Sequence, residues 1–278
     1  MSVTTDPAVS VEQTIAETIE QVRTPYQAES DILGPSKITS LFACARQFEL
    51  QYLLRAPRLS SPAAVVGTCF HQVAKHARAS RWGLDHADAA GELMLNLWDT
   101  VRGDTSDPND PEANKRVNDA TLKWLPWYLH WYSKQQPIVT EERWTLDVPG
   151  TGMKLRGTID SYYAEGGERV LSDIKTGSRA PGAADLARDL QLTLYWWACR
   201  EQGSSPTIAE HCMPSKQAVY RTTRTDAYID ATLQLVVIPA ARYIEAGVFP
   251  ANPATRYGCG SCDVRQHCPI GAGAGEES

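Results

Sequence analysis

The chain has 278 residues, enough for one large domain that buries roughly three-quarters of the surface of its extended form, and its 42% hydrophobic and 22% charged content is that of an ordinary globular protein. No apolar run approaches the roughly 20 residues that cross a bilayer, and the opening Met1-Ser2-Val3-Thr4-Thr5-Asp6-Pro7 has neither a basic nor an apolar signal region, so a cytoplasmic protein without a membrane partner is expected. A net charge of −6 argues against a tight, indiscriminate binder of duplex nucleic acid, although bound metal can neutralise acidic side chains and a groove need be only locally positive.

Residues 1–35 form a polar N-terminal extension, partly helical. Val11, Ile15, Ile19 and Val22 share one helical face behind Ser10, and Gln13 is placed to complete a capping box, which predicts a short, exposed or loosely docked helix. After Gly34-Pro35, residues 36–54 read as a helix carrying Cys44. Residues 67–81 read as a second helix, with Phe70, Val73, Ala74 and Ala77 on one side and His71, Lys75 and Arg78 on the other. Residues 82–136 read as a helical insertion, broken by the Pro- and Asp-rich loop 102–112. Its Trp124, Trp127, Tyr128, Trp131 and Tyr132 repeat at helical intervals, a stripe that usually packs a core but also serves to stack unpaired bases.

From Arg143 the period changes to two, predicting strands near 142–148, 153–163 and 168–175, with a hairpin turn at Gly166-Gly167. A helix over 185–200, a strand over 217–222 and a helix over 226–246 follow, then a Gly- and Cys-rich loop at 259–268 and a disordered tail at 271–278. There is no internal repeat. The expected class is α/β.

Four separated stretches carry chemistry: Gly67-Thr68-Cys69-Phe70-His71, Gly157-Thr158-Ile159-Asp160, Asp173-Ile174-Lys175 and Gln191-x-x-x-Tyr195. Two carboxylates and an imidazole can hold a hard divalent cation, and a lysine beside the second carboxylate can orient a water and offset phosphate charge. Asp160 and Asp173 fall on neighbouring predicted strands. Residues two apart on a strand face the same way, so Asp173 and Lys175 share a face while Ile174 packs behind. Taken alone, an Asp-x-Lys is usually a solvated face and a lone histidine is usually structural. Gln191 and Tyr195, four apart on a helix, also point one way. Arg179 and Arg188 are candidate phosphate contacts, although solvated arginines are the commoner case.

Seven cysteines, an odd number, argue against a disulfide framework in a reducing compartment. Cys44, Cys259, Cys262 and Cys268 make up the count of an iron-sulfur cluster or a structural zinc, and Gly258, Gly260 and Pro269 supply tight turns around the last three. Cys69, Cys199 and Cys212 lie in apolar stretches, where a thiol behaves as a small hydrophobe.

Taken in order and spacing, these motifs resemble the PD-(D/E)XK nuclease superfamily, in particular its RecB-like branch with an iron-sulfur staple, which includes CRISPR-associated and phage recombination exonucleases. The resemblance spans roughly residues 36–270, taken as a single nuclease domain. It implies a restriction-endonuclease-like core, a central mixed β-sheet flanked by helices, with a four-cysteine staple joining the N- and C-terminal parts. By resemblance, His71, Asp160, Asp173 and the backbone carbonyl of Ile174 hold Mg²⁺ or Mn²⁺, Lys175 positions the attacking water, and Gln191 and Tyr195 position substrate. The four cysteines hold a 4Fe-4S cluster, with structural Zn²⁺ as the alternative on ligand count. The chain departs from the family at Ala45, where a proline is usual after the first cysteine, and at Lys75, where many relatives are acidic. The implied activity is exonucleolytic hydrolysis of DNA, on single-stranded ends with 5′ to 3′ polarity, in recombination or repair. Alternatives are processing of CRISPR spacer precursors alongside adaptation proteins, and a non-catalytic DNA-binding scaffold with a structural metal cluster.

Overall fold

The computed structural model describes residues 10–23, 31–254 and 258–273. Parts of the expected extension (1–9 and 24–30) and the last five residues of the expected tail (274–278) lie outside the described residues. In chain order the elements are α1 (Val11–Arg23), β1 (Ile32–Leu33), α2 (Pro35–Ala43), α3 (Ala45–Phe48), α4 (Pro62–Ala79), α5 (Ala87–Val101), α6 (Pro111–Asp119), α7 (Leu125–Tyr132), β2 (Gln136–Asp147), β3 (Lys154–Glu165), β4 (Glu168–Ile174), α8 (Ala183–Ala187), α9 (Leu190–Glu201), β5 (Ile208–Met213), β6 (Ala218–Thr222), α10 (Asp226–Thr232), α11 (Ile238–Glu245) and α12 (Pro269–Ala272). Single π-turns, Glu49–Leu53, Ala120–Trp124 and Leu233–Val237, continue α3, join α6 to α7 and join α10 to α11.

The strands form one mixed sheet in the order β1-β3-β4-β5-β6, with β2 also pairing β3. β1–β3 and β4–β5 are parallel, whereas β3–β4 and β5–β6 are antiparallel. The chain divides into two compact units, one comprising Met1–Pro25, Ser60–Glu142 and Thr158–Arg224, the other Tyr26–Leu59, Arg143–Gly157 and Thr225–Ser278.

In the first unit the apolar face of α4 makes the core. Ser61 caps the helix by accepting from the Ala64 N–H and Pro62 opens it, so α4 begins five residues before the expected Gly67. Val66, Cys69, Phe70, Val73 and Ala77 then recur at helical spacing and are fully buried with Met94, Leu97, Leu125 and Tyr128. Trp124 and Tyr128 belong to this core, and Trp127, Trp131 and Tyr132 pack against it, so the aromatic stripe builds the insertion from within. Ile174 and Cys212 from the sheet join the same cluster, while α9 covers the other face of β4 and β5.

Helix α1 is docked, not loose. Thr14, Thr18 and Val22 are buried, Ile15 and Ile19 pack against the core cluster, and Val11 is exposed. Thr14 Oγ1 lies 3.0 Å from His76 Nδ1, and Glu17 pairs with Lys75 at 2.7 Å. Only half of the capping box forms: the Gln13 N–H donates to Ser10 Oγ, but the Gln13 side chain donates to Glu17.

Three sequence expectations need correction. The helix over 36–54 is broken at Cys44, which is extended (φ −156°, ψ 108°) between α2 and α3. The helix over 185–200 is two helices, because Asp189 stops α8 and caps α9 through the Leu192 N–H at 2.8 Å. β5 was not anticipated at all. Glu210 and His211 interrupt its apolar pattern, yet Glu210 is wholly buried, accepting from Tyr163 Oη at 2.8 Å and from Arg221 Nε at 3.0 Å.

Phe70 is fully buried, edge-on to Trp124 and Tyr128 at 6.2 and 5.7 Å between ring centroids, and precedes His71 on the same helix. Phe70→Ala is therefore expected to lower the unfolding free energy by about 3 to 5 kcal/mol. Urea denaturation followed by circular dichroism checks this; an unchanged midpoint would contradict the placement of α4 in the core.

Candidate active site

β3 and β4 form the hairpin that brings two carboxylates together. The antiparallel register opposes Ser161 to Ser172, so Asp160 and Asp173, each one residue along, lie at the same end of the hairpin. Asp160 Oδ2 accepts from the Ile174 N–H at 2.8 Å, which ties the first carboxylate to the middle of Asp173-Ile174-Lys175. His71, on the half-exposed side of α4, places Nδ1 3.8 Å from the same Asp160 Oδ2. Arg78, two turns further along α4, donates to the Asp160 backbone carbonyl while its guanidinium lies over the Tyr128 ring at 5.4 Å.

Asp173 is 1% exposed at the end of β4. Its Oδ1 accepts from Gln191 Nε2 at 2.7 Å, and Gln191 Oε1 accepts from Lys175 Nζ at 2.7 Å. Gln191 Nε2 also donates to Tyr195 Oη at 2.8 Å, one turn along α9. Lys175 Nζ stands 2.8 Å from Asp173 Oδ2, so the ammonium pairs directly with this buried oxygen. Burial pushes the Asp173 carboxyl above its ordinary value, with the Asp160 charge adding to the shift and Lys175 opposing it. Burial would depress the Lys175 ammonium, but Asp173 and Asp160 outweigh it and hold its pKa up.

His71, Asp160, Asp173, Lys175, Gln191 and Tyr195 thus come to one region of the first unit, with the Ile174 N–H bonded into it and the Ile174 side chain in the core. Gly67 permits the approach of α4: a Cβ there would meet Thr176 Oγ1 at 2.9 Å, just after Lys175. Lys75 does not complete this group, since it is paired with Glu17. Arg179 is exposed, and Arg188 donates to the Ala184 carbonyl at 3.1 Å and faces Asp185 at 4.0 Å.

Sequence reasoning missed three residues here. Glu141 on β2 has a positive φ of 53°, and burial followed by the Asp160 charge raises its carboxyl pKa, with Arg78 opposing the shift. A non-glycine residue in that region carries strain of order 1 kcal/mol or more, a cost found most often beside functional sites. His211, 7% exposed, and Asp189 complete the surroundings of Asp173. Burial would raise the Asp189 carboxyl, but the His211 ring and the Leu192 N–H hold it below its ordinary value. The available signal for His211 was only a polar pair inside a short apolar run.

The four cysteines come together in the second unit. They line one pocket with Gln47, Leu50, Asn252, Gly258 and Arg265, enclosing about 390 Å³ of empty space, part of it open solvent. Asp263 fastens the C-terminal loop to the segment after Cys44, accepting from Gln51 Nε2 at 2.6 Å and pairing with Arg58. Cys44 Sγ accepts from the Asn252 N–H at 3.3 Å, and Leu50, Val264 and Cys268 form a small apolar cluster flanked by Cys262. Burial raises the Cys262 thiol, and Cys44 and Cys259 add to the shift. The remaining thiols are buried, with Cys69 and Cys199 pushed up to about 12 and Cys212 also held well above its ordinary value by burial.

Among the described residues, no three of His, Cys, Asp or Glu form a group that could hold a metal ion as they stand. The donor chemistry nevertheless suits two different metals. The carboxylate oxygens of Asp160 and Asp173 with the His71 imidazole beside them suit a hard divalent cation, and four thiols lining one pocket suit a soft centre. No helix among the described residues is long and apolar enough to cross a membrane.

A search of curated proteins finds no match. The solved structure titled "Crystal structure of SSO0001" is 15% identical, covers 93% of this chain and 95% of its own, and superposes with a TM-score of 0.44, too low to carry an argument. The profile of the PD-(D/E)XK nuclease superfamily matches residues 33–269, a span that includes His71, Asp160, the Asp173-Ile174-Lys175 strand end and all four clustered cysteines. Sheet, hairpin and match over most of the chain agree: this chain belongs to the PD-(D/E)XK nuclease superfamily.

Proposed function

We propose that the protein is a metal-dependent DNA exonuclease acting on single-stranded ends, with 5′ to 3′ polarity, in recombination, repair or DNA-end processing. The observation that carries this reading is the hydrogen-bond chain from Asp173 through Gln191 to Lys175, beside an Asp160 carboxylate bonded to the Ile174 N–H. His71, Asp160, Asp173 and the Ile174 carbonyl would hold the cation. A bound Mg²⁺ or Mn²⁺ supplies Lewis-acid polarisation of the phosphate and a water of lowered pKa. Lys175 keeps one ammonium near Asp173, where it can orient a water and offset the charge that develops on a phosphate. Gln191 holds the Lys175 and Asp173 side chains at a fixed separation, and with Tyr195 it positions substrate from α9. Residues 36–270 act as the nuclease domain, and Cys44, Cys259, Cys262 and Cys268 hold a 4Fe-4S cluster, with Zn²⁺ as the alternative occupant. A cluster shared by Cys44 and the last three cysteines closes a loop of more than 200 residues, which removes on the order of 4 to 5 kcal/mol of unfolded-state entropy.

The direct test incubates the purified protein with end-labelled single- and double-stranded DNA in Mg²⁺, Mn²⁺ or EDTA. Asp173→Asn and Lys175→Ala are each expected to abolish cleavage while circular dichroism still shows a folded protein. Wild-type cleavage by either variant would overturn the assignment. His71→Ala is expected to weaken metal affinity, so that excess Mn²⁺ restores part of the activity; loss that no metal concentration relieves would give His71 another role.

Cys44→Ser is expected to release iron and lower the melting temperature, whereas Cys199→Ser keeps the wild-type metal content. Metal analysis and thermal melts after anaerobic purification separate the outcomes. Full iron and unchanged stability in Cys44→Ser would refute the shared cluster, and zinc in the wild type would keep the staple but not the iron-sulfur chemistry.

A further inference from the structure

The parallel register of β4 and β5 sets His211 directly beside Asp173, so that imidazole and carboxylate project from one face of the sheet towards α9. His211 Nε2 stands 3.8 Å from Asp173 Oδ2 and 3.5 Å from Asp189 Oδ2. Both the His211 and Asp173 side chains are more than nine-tenths buried, and Asp173 Oδ2 is shared between His211 and the Lys175 ammonium, 2.8 Å away. A buried imidazole keeps one orientation only where polar partners face it, and here those partners are the two carboxylates. The other carboxylate in the contact, Asp189, caps α9 through its second oxygen, two residues before Gln191. His211 therefore stands between the carboxylate on β4 and the first turn of the helix that binds it.

We propose that His211 is a positioning residue of the nuclease site, shared between Asp173 and Asp189, that fixes the carboxylate which faces the cation against the helix carrying Gln191 and Tyr195. The inference rests on the functional reading above. Side chains that orient metal-binding carboxylates without touching the metal typically alter metal affinity about 10- to 100-fold when removed. A histidine that only fills space would change stability and leave the affinity of the folded protein alone.

The test uses the full chain. Mn²⁺ is titrated into wild type, His211→Ala, His211→Gln, Asp189→Asn and Asp173→Asn and followed by the electron paramagnetic resonance of the free ion; kcat and KM on end-labelled single-stranded DNA and melting temperatures are measured alongside. His211→Ala is expected to weaken Mn²⁺ binding about ten-fold and to lower kcat more than it raises KM. His211→Gln, whose amide nitrogen reaches the place of Nε2, recovers most of both. Asp189→Asn, which keeps the helix cap, weakens Mn²⁺ binding in the same direction and decides the matter if His211→Ala does not fold. Wild-type Mn²⁺ affinity in His211→Ala, or in Asp189→Asn, overturns the proposal, as does an equal loss in His211→Ala and His211→Gln. Asp173→Asn is the control for the underlying reading: if it binds Mn²⁺ and cleaves as wild type does, the metal site itself is wrong, whereas its failure beside an unaffected His211→Ala removes only the role of His211.

Discussion

Burying the Asp173 carboxylate at the end of a sheet strand is the constraint around which the first unit is arranged. A carboxylate taken out of water is expensive unless opposite charge and hydrogen bonds replace its hydration. Lys175, two residues on, supplies the charge, and Gln191 supplies the hydrogen bond. The second depends on α9 starting at the right place. Asp189 sets that start as the cap, and the buried Arg224 guanidinium holds the turn before it through the Leu186 and Asp189 carbonyls at 3.0 and 3.1 Å and Thr193 Oγ1 at 2.8 Å. Loss of any of these contacts would move Gln191 relative to Asp173 before it touched the rest of the fold.

The opposite face of the same strand is apolar, and this alternation is what lets one strand serve core and site together. Ile174 belongs to the core cluster built on α4, α5 and α7 while its own N–H holds Asp160. The loop that follows is gripped from two sides, by the absence of a side chain at Gly67 and by Arg116, which donates to the Thr176 carbonyl at 2.6 Å. The insertion thus does more than cover the sheet, because α6 carries Arg116. Helix α1 plays a similar part on α4: Glu17 pairs with Lys75, one turn after His71.

In the second unit the organising device is different. Its C-terminal loop has a small apolar cluster and is fastened by the Asp263 contacts, beside a pocket that the four thiols line. At the break between α2 and α3, extended backbone takes Cys44 out of the helical path, and its sulfur accepts from the Asn252 N–H.

Much of this was legible in the amino-acid sequence, because it is written in short-range pattern. Helical spacing gave α4 its core face, the change to period two marked β2 to β4, and Asp-x-Lys and Gln-x-x-x-Tyr are pairs whose mutual direction is set by strand and helix geometry alone. What tertiary structure decided are the partners that meet only across elements. His211 sits on a strand whose buried Glu210 disguises it as a polar loop, and it becomes part of the site through register with Asp173. Glu141 reaches the field of Asp160 through β2, and Lys75 is diverted by a helix 58 residues away in sequence. The physical reason is the same each time: local pattern determines which way a side chain points from its own element, whereas charge pairing and desolvation depend on what stands opposite, and that is set only when the strands take their order and the helices dock.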